Sequence, residues 1–302
     1  MAFARERFDA VLRDEDRGLS PDEAAEALRD FDAILPTLGD GFTAEVFSGG
    51  PHRCRILANF GVGVNHIDLA AARAAGVVVT NTPGAVTDAT ADIAVMLILM
   101  ACRRAGEGER MLRTGRWTGW APTQMLGTHV TGLTLGIVGM GRIGQAIARR
   151  CHFGFGMPVL YFNRSPKGID VPARQVEELP DLLRESDVVV LAVPGGAETR
   201  GLIGARELAG MRPSAFLVNI ARGDVVDEEA LVEALETRRI AGAGLDVYAR
   251  EPEVPERLRA LENVVLLPHL GTATLSVREA MGRMALDNLV AFAEGRDPPN
   301  LV

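Results

Sequence analysis

Hydrophobic residues recur along the chain in short, nearly unbroken runs, with longer amphipathic stretches between them. Eight runs predict buried strands: CRILANF (54–60), GVVVTN (76–81), LTLGIVG (133–139), PVLYF (158–162), DVVVLAV (187–193), AFLVNI (215–220), GAGLDV (242–247) and NVVLLP (263–268). Continuous rather than alternating hydrophobicity is typical of parallel strands that are covered on both faces. The pattern therefore indicates parallel sheets between layers of helices.

Amphipathic stretches with helical periodicity separate these runs. They predict helices over 21–29, with Ser20 as N-cap, and over 88–104, 143–151, 176–185, 228–236 and 276–294. Regular alternation of strand and helix is typical of the α/β class with doubly wound sheets. We therefore predict an α/β fold of this Rossmann-like or flavodoxin-like type.

Two domains are expected, because 302 residues with 47% hydrophobic content exceed what one ordinary core organises. Six predicted strands between 133 and 268 form one nucleotide-binding unit, and the strands before residue 81 form a smaller one. The last helix is expected to return to the smaller unit. The prediction is a discontinuous small domain of residues 1–81 and 271–302, with residues 82–270 inserted as the large domain.

Charge and cysteine content exclude several classes of function. The net charge is −8 and no run of Lys and Arg is longer than a pair, so a nucleic acid is not expected as a partner. Cys54, Cys102 and Cys151 are odd in number and widely spaced. This spacing argues against a disulfide framework and against a zinc site, and it favours the reducing cytoplasm.

No membrane-spanning or export segment is expected. The N-terminus mixes charges of both signs and lacks the apolar core of a secretory signal. The most apolar stretch, residues 94–102, is far shorter than the roughly 18 residues that a spanning helix needs. This stretch is interpreted as part of a buried helix.

The longest irregular stretch, residues 114–131, contains both tryptophans of the chain, Trp117 and Trp120. An exposed aromatic arm is typical of a subunit interface. Packing beneath the nucleotide domain explains the two residues about as well, so both interpretations stay open.

A glycine fingerprint follows the run at 135–138 and opens a predicted helix. Gly139 permits a tight turn, Gly141 lets the backbone approach a pyrophosphate, and Gly144 lets the helix lie close to the strand. Free N–H groups at the helix start, at Arg142 and Ile143, are expected to bind phosphate. The context of strand, glycine loop and helix indicates a dinucleotide site.

The next strand ends at Asn163, Arg164 and Ser165, where a carboxylate would bind the ribose 2′-hydroxyl of NAD. No carboxylate stands there. Asn163 removes a charge that would repel a 2′-phosphate, while Arg164 and Ser165 offer a guanidinium and a hydroxyl that bind one. We therefore predict that NADP(H) is favoured and that NAD(H) is also possible, although a solvent-facing Arg164 without a role is the alternative.

Three candidate catalytic residues follow three different predicted strands. Arg222 follows the run at 215–220, Glu251 follows the run at 242–247, and His269 follows the run at 263–268. The carboxyl ends of parallel strands share one edge of a sheet, so these side chains are expected to converge. Arg222 would bind a substrate carboxylate and polarise a carbonyl, His269 would serve as acid and base, and Glu251 would orient the imidazole and favour its charged form.

Several motifs together resemble the D-isomer-specific 2-hydroxyacid dehydrogenase family. They are NFGVGVNHID, NTPGAVTDATADIA, GIVGMGRIG, NIARGDVVDEEAL, GLDVYAREP and PHLGTAT. Within the family, GWAPTQMLG, NRS and FGVGVNHID look most like the glyoxylate and hydroxypyruvate reductase branch. The resemblance implies NAD(P)H-dependent reduction of a small 2-oxo acid in a homodimer, with residues 114–131 as an arm that reaches the other subunit.

The same resemblance implies further site residues. The substrate is expected to lie against Arg222, His269 and the backbone at Val62 and Gly63, and Asp246 is expected among the cofactor-binding residues. The small domain is implied to bind the substrate and the large domain the nucleotide. Similar chains have an additional strand and helix before the segment that corresponds to residues 8–12, so this chain is expected to be shortened at its N-terminus.

Two other functions stay open at this point. A phosphoglycerate-type or other D-2-hydroxyacid dehydrogenase is one, although the GVGVNHID loop offers no extra basic residue for a phosphate. A non-catalytic nucleotide-sensing protein of the same fold is the other, because such relatives can retain the same three residues.

Overall fold

A computed structural model describes residues 2–302, which divide into two compact units. The small unit consists of residues 2–86 together with Thr274–Val302, and the large unit is Thr87–Ala273. Each unit has its own parallel sheet, of three strands in the small unit and seven in the large one. The α/β class with two Rossmann-like units is confirmed.

The small unit contains a short parallel sheet between two hydrophobic layers. Its elements, numbered along the whole chain, are α1 (Ala2–Arg7), α2 (Pro21–Asp30), β1 (Ala33–Ile34), α3 (Ala44–Phe47), β2 (Ile56–Ala58), α4 (Leu69–Ala74), β3 (Val78–Thr80) and α12 (Leu275–Ala293). The strand order is β1-β2-β3. Leu57 and Val79 face a cluster that includes Leu28 of α2, while Ile56 faces Ala285 of α12.

Capping residues fix where the helices of the small unit begin. Ser20 and Glu23 form a reciprocal capping box, in which the Ser20 N–H donates to the Glu23 carboxylate at 2.8 Å. Asp68 caps α4 by accepting the Ala71 N–H at 2.9 Å. Residues 8–20 lie in no helix or strand, and the outer strand β1 has only two residues.

The large unit contains a doubly wound sheet, and its first element is its longest helix. Its elements are α5 (Thr87–Cys102), α6 (Ala105–Arg113), β4 (Leu135–Val138), α7 (Arg142–Phe155), β5 (Val159–Phe162), β6 (Ala173–Gln175), α8 (Leu179–Glu185), β7 (Val188–Leu191), α9 (Ala205–Gly210), β8 (Phe216–Asn219), α10 (Glu228–Glu236), β9 (Gly242–Leu245), α11 (Glu256–Arg259) and β10 (Val264–Leu266). The strand order is β10-β9-β8-β7-β4-β5-β6, and every pairing is parallel.

Alternate residues of the central strands enter two separate hydrophobic cores. Val189 and Leu217 pack with α8, α9 and α10 on one face, while Val190 and Val218 pack with α5 and α7 on the other. Both faces are covered, which explains why these strands appear in the sequence as unbroken hydrophobic runs.

Several elements differ from the sequence prediction. The short elements α1, β1, α3, α4, α6, α9 and α11 are not predicted, and two further differences have a clear physical cause. The helix expected over 176–185 begins at Leu179, because Pro180 is favoured in a first turn and cannot lie further inside a helix. Strand β6 has no counterpart in the prediction, since Ala173–Gln175 is a short edge strand with two polar residues and no hydrophobic run.

The arm between α6 and β4 is irregular, as predicted, and it carries an exposed aromatic surface. Trp120 is 82% exposed and Trp117 is 50% exposed. Packing of these tryptophans beneath the nucleotide domain, one of the two interpretations of the sequence, is therefore wrong for the described chain.

The three cysteines are free and buried. Burial raises the pKa of Cys54 to about 11, and the pKa values of Cys102 and Cys151 to about 12. Within residues 2–302, no three His, Cys, Asp or Glu side chains come together in a way that would hold a metal ion. No helix among these residues has both the length and the apolar character needed to cross a bilayer.

Candidate active site

The glycine loop between β4 and α7 has the geometry of a phosphate-binding turn. Gly139 has φ 100°, and a Cβ there would lie 2.7 Å from the Ala192 carbonyl oxygen. A Cβ at Gly144 would lie 2.3 Å from the Gly139 oxygen, so α7 packs directly on the loop. A Cβ at Gly141 meets nothing within 4 Å, which leaves open space at the start of α7. A pyrophosphate fits this space, with the N–H groups of Arg142 and Ile143 beside it.

The loop after β5 is tied to the glycine loop by one asparagine. Asn163 Oδ1 accepts the Met140 N–H at 3.1 Å, and Asn163 Nδ2 donates to the Ser165 carbonyl at 2.8 Å. Gln175 of β6 donates to the Asn163 carbonyl at 3.0 Å. Asn163 therefore fixes the backbone on which Arg164 and Ser165 are exposed.

Arg222 lies in a tight turn after β8 that is organised by Asn219. The Asn219 side chain donates to the Arg222 carbonyl at 2.9 Å and accepts the Ala221 N–H at 3.0 Å. A Cβ at Gly223 would lie 1.8 Å from the Tyr248 carbonyl carbon, so only glycine permits this approach. The turn after β8 is thereby packed against the segment after β9, which carries Glu251.

His269 and Glu251 form the central pair of the site. Glu251 Oε2 accepts a hydrogen bond from His269 Nδ1 at 2.7 Å, and Glu251 Oε1 accepts the Tyr248 N–H at 3.1 Å. Both side chains are half-buried. Because a carboxylate only accepts, Nδ1 carries a hydrogen, and the second ring nitrogen is left for a substrate.

Asp246 holds the backbone that presents the histidine. Its two carboxylate oxygens accept the N–H groups of Leu270 at 2.6 Å and Gly271 at 2.8 Å. His269 has φ 53°, in the left-handed region that non-glycine residues rarely adopt. Asp246 is 2% exposed, and its bonds supply the local stabilisation that this backbone conformation needs.

Burial and neighbouring charges shift the pKa values of the site. Burial raises the pKa of Glu251, but the hydrogen bond and charge of His269, the Tyr248 N–H and the charge of Arg222 together bring it below its ordinary value. Burial lowers the pKa of Arg222, an effect that Glu251 and Asp224 oppose. Arginine is not deprotonated in folded proteins, so Arg222 stays cationic. Burial raises the pKa of Asp246, while the two N–H groups counteract it.

The predicted substrate loop of the small unit is held by its carbonyl groups. Asn59 Nδ2 donates to the carbonyl oxygens of Gly61 and Gly63, both at 3.0 Å, and Asn81 donates to that of Val62 at 2.9 Å. Asn59 Oδ1 bonds His66 Nε2 at 2.9 Å. His66 is thus a partly buried structural residue of this loop.

Comparisons with known proteins identify the family of this chain. The model of the family described as D-isomer specific 2-hydroxyacid dehydrogenase, NAD binding domain, matches residues 95–271. A glyoxylate reductase of Thermococcus gammatolerans is 46% identical over 304 residues, which covers 99% of this chain and 90% of that protein. The chain belongs to the D-isomer specific 2-hydroxyacid dehydrogenase family. It is an NAD(P)-dependent oxidoreductase.

Two solved structures of similar proteins show that the similarity of this chain to the family extends to the fold. A glyoxylate reductase from Paecilomyes thermophila has a TM-score of 0.85 and 36% identity, covering 93% of this chain and 87% of that one. An NADPH-dependent glyoxylate/hydroxypyruvate reductase from Sinorhizobium meliloti, in complex with NADP and malonate, has a TM-score of 0.84 and 38% identity, covering 91% and 85%. The resemblance to the glyoxylate reductase branch is confirmed.

Two residues that organise this dehydrogenase site are not predicted from the sequence, and a third has contacts other than the predicted ones. Asn219 and Tyr248 were not expected at the site, although a polar residue at the end of a hydrophobic run, as in Phe216–Asn219, is a usable hint. Asp246 was expected to bind the cofactor. In the described structure both of its carboxylate oxygens bond the backbone next to His269.

Proposed function

We propose that this D-2-hydroxyacid dehydrogenase reduces glyoxylate or hydroxypyruvate to the 2-hydroxy acid, with the D configuration where the product is chiral. The single observation that carries the proposal is the 2.7 Å hydrogen bond from His269 Nδ1 to Glu251, formed at the sheet edge that also bears Arg222. The glyoxylate reductases at 46% and 38% identity support this choice of substrate.

The chain's own residues supply binding and proton transfer. The reduced nicotinamide, when bound, supplies a hydride to the carbonyl carbon. The carbonyl π electrons move to the oxygen, which takes the proton from the free ring nitrogen of His269. Arg222 pairs with the substrate carboxylate and polarises the adjacent carbonyl. Glu251 holds the ring in place and stabilises its cationic form, so the proton is available when the hydride arrives.

The two units have separate roles in this proposal. The large unit binds the nucleotide through Gly139, Gly141, Arg142, Ile143 and Gly144. The small unit offers the backbone at Val62 and Gly63 to the substrate carboxylate. Support comes from the open space at Gly141 and from the hydrogen-bonded loop of residues 61–66.

We further propose that NADP(H) is favoured over NAD(H). Asn163 places no negative charge beside the ribose, and Arg164 offers a guanidinium that a 2′-phosphate can bind in a bidentate manner. The Sinorhizobium meliloti relative, described as NADPH-dependent, supports this preference. The same loop leaves NAD(H) as a weaker cofactor.

A homodimer is proposed as the assembly. The irregular arm and α6 expose Leu112, Trp117, Trp120 and Leu126 on the large unit. Clustered exposed apolar side chains of this size are typical of a contact between subunits. We propose that a second copy of this chain covers the arm.

A cytoplasmic location is also proposed, because Cys54, Cys102 and Cys151 are all free thiols. Recovery of the protein from another compartment in cell fractionation would contradict it.

Replacement of His269 by Ala is expected to lower kcat about 1,000-fold, because the proton donor is lost. Oxidation of NADPH is followed over glyoxylate, hydroxypyruvate, pyruvate, phenylpyruvate and 3-phosphohydroxypyruvate. The Kd of NADPH should stay within about twofold, and His152→Ala, which changes a histidine at the end of α7, should retain turnover. A wild-type chain that binds NADPH but oxidises it with none of these acids is instead a nucleotide-sensing protein. A strong preference for the phosphorylated acid would indicate the phosphoglycerate type.

Replacement of Glu251 by Gln tests the charge of the central pair. Although burial raises it, the pKa of Glu251 lies below its ordinary value, chiefly because of the hydrogen bond and charge of His269, so its carboxylate is ionised and does not itself titrate near neutral pH. Loss of this charge destabilises the cationic imidazole, and the basic limb of the kcat profile for reduction should therefore move to lower pH. A basic limb at the same pH in the variant would show that Glu251 does not stabilise the charged form of the proton donor.

Replacement of Arg164 by Ala should lower the ratio of kcat/KM for NADPH over NADH about tenfold, because a charged hydrogen bond to the 2′-phosphate is removed. Arg174→Ala, an exposed arginine in β6, serves as the matched control. A wild-type ratio below one, or an unchanged ratio in the variant, contradicts the proposed cofactor preference.

Replacement of Trp120 by Glu should convert the dimer into a monomer, because a buried interfacial charge without a partner is strongly unfavourable. The mass in solution is measured by analytical ultracentrifugation. Val11→Glu changes an exposed apolar residue of the small unit and should leave the dimer intact. A wild-type chain that sediments as a monomer would refute the assembly.

A further inference from the structure

Three loops lie side by side at the nucleotide edge of the large sheet. Strand β4 lies between β7 and β5 in the sheet, so its glycine loop has the loop after β7 on one side and the loop after β5 on the other. A Cβ added at Gly139 would clash with the Ala192 backbone, which shows how closely the β7 loop approaches. Any group that joins the two outer loops must therefore pass near the glycine loop.

Arg164 and Glu198 make such a connection. Arg164 Nη1 donates to Glu198 Oε2 at 2.5 Å, across 34 positions of sequence. The side chains are 80% and 77% exposed, so a ligand in the crevice can reach both. The Glu198 backbone is fixed locally, because Thr199 Oγ1 donates to the Pro194 carbonyl at 2.7 Å and the Thr199 N–H donates to that of Gly196 at 3.1 Å.

The loop after β5 carries no carboxylate, and Glu198, in the loop after β7, supplies one beside Arg164. Asn163, Arg164 and Ser165 provide no anion at the ribose, whereas Glu198 brings one to Arg164 from the opposite loop. A 2′-phosphate is also an anion and would bind the same guanidinium of Arg164. Two anions competing for one exposed guanidinium repel each other, so a phosphate gains the contact only by displacing the carboxylate.

We propose that Glu198 is a specificity-determining residue that weakens the preference for a 2′-phosphorylated nucleotide. With NADPH, Glu198 must leave Arg164 and then lies beside a phosphate of like charge. With NADH, the ion pair stays intact and the carboxylate accepts a hydrogen bond from the ribose 2′-hydroxyl. Arg164 and Glu198 together set the ratio of the two cofactors, a conclusion that rests on the proposed nucleotide site.

The isosteric variant Glu198→Gln tests the competition, with binding of 2′,5′-ADP and 5′-AMP measured by calorimetry. Removal of the charge should lower the Kd of 2′,5′-ADP about threefold to tenfold, since the carboxylate no longer competes with the phosphate for Arg164. The Kd of 5′-AMP should stay the same or rise slightly. Glu185→Gln is the matched control, because Glu185 ends α8 and makes a similar ion pair with Arg174 of β6.

The double variant with Arg164→Ala separates competition from general repulsion. Without the guanidinium there is nothing to compete for, so Glu198→Gln should then change the Kd of 2′,5′-ADP less than twofold. The proposal is overturned if Glu198→Gln leaves that Kd unchanged in the wild-type background, as an ion pair without a role would. It is equally overturned if the full effect persists with Arg164→Ala.

These binding measurements need no turnover, so they fail separately from the proposed reaction. A chain that binds both fragments as described but never reduces a 2-oxo acid refutes the reaction and supports the role of Glu198. A chain that binds neither fragment refutes the nucleotide site and the role of Glu198 together.

Discussion

Parallel alignment of all seven strands in the large sheet is the constraint on which the site depends. Each loop that carries a candidate functional residue follows the carboxyl end of a strand, so all of them meet at one edge. The order of strands also separates two tasks along that edge. Loops after β4 and β5 bear the glycine fingerprint and Arg164, whereas loops after β8, β9 and β10 bear Arg222, Glu251 and His269. In the proposed function, the adenosine of the dinucleotide lies at one end of this edge and the nicotinamide lies near Arg222, Glu251 and His269.

Proton transfer needs loops with a fixed conformation, and a shared sheet edge does not by itself fix the conformation of a loop. Buried or partly buried polar side chains provide this by bonding the loop backbone. Asn163, Asn219 and Asp246 each direct both polar atoms of the side chain to backbone groups of their own loop or of an adjacent one. Buried N–H and C=O groups that lose such partners are costly, so each loop has one strongly favoured conformation. The loops that bear Arg164, Arg222 and His269 are thereby preorganised by these three polar residues.

The sequence predicts those features that follow from periodicity or from a compact motif. Hydrophobic runs identify the central strands. The fingerprint with Gly139 identifies the nucleotide loop, because the close backbone approach requires glycine, and glycine is read directly from the sequence. Strand β6 and the turn at His269 are not predictable in this way. Gln175 joins the sheet only because β5 lies beside it, and the left-handed backbone of His269 depends on Asp246, which lies 23 residues earlier and reaches it through the packing of two strands.

The buried thiols in the two cores allow the unfolding of each unit to be detected separately. A thiol whose pKa is near 11 or 12 is almost entirely protonated at neutral pH, and a buried one is closed to alkylating reagents. Cys54 lies in the core of the small unit, and Cys102 and Cys151 lie in the core of the large unit. Alkylation of each thiol therefore records the exposure of its own unit, so mass spectrometry of the labelled peptides distinguishes unfolding of one unit from unfolding of the other.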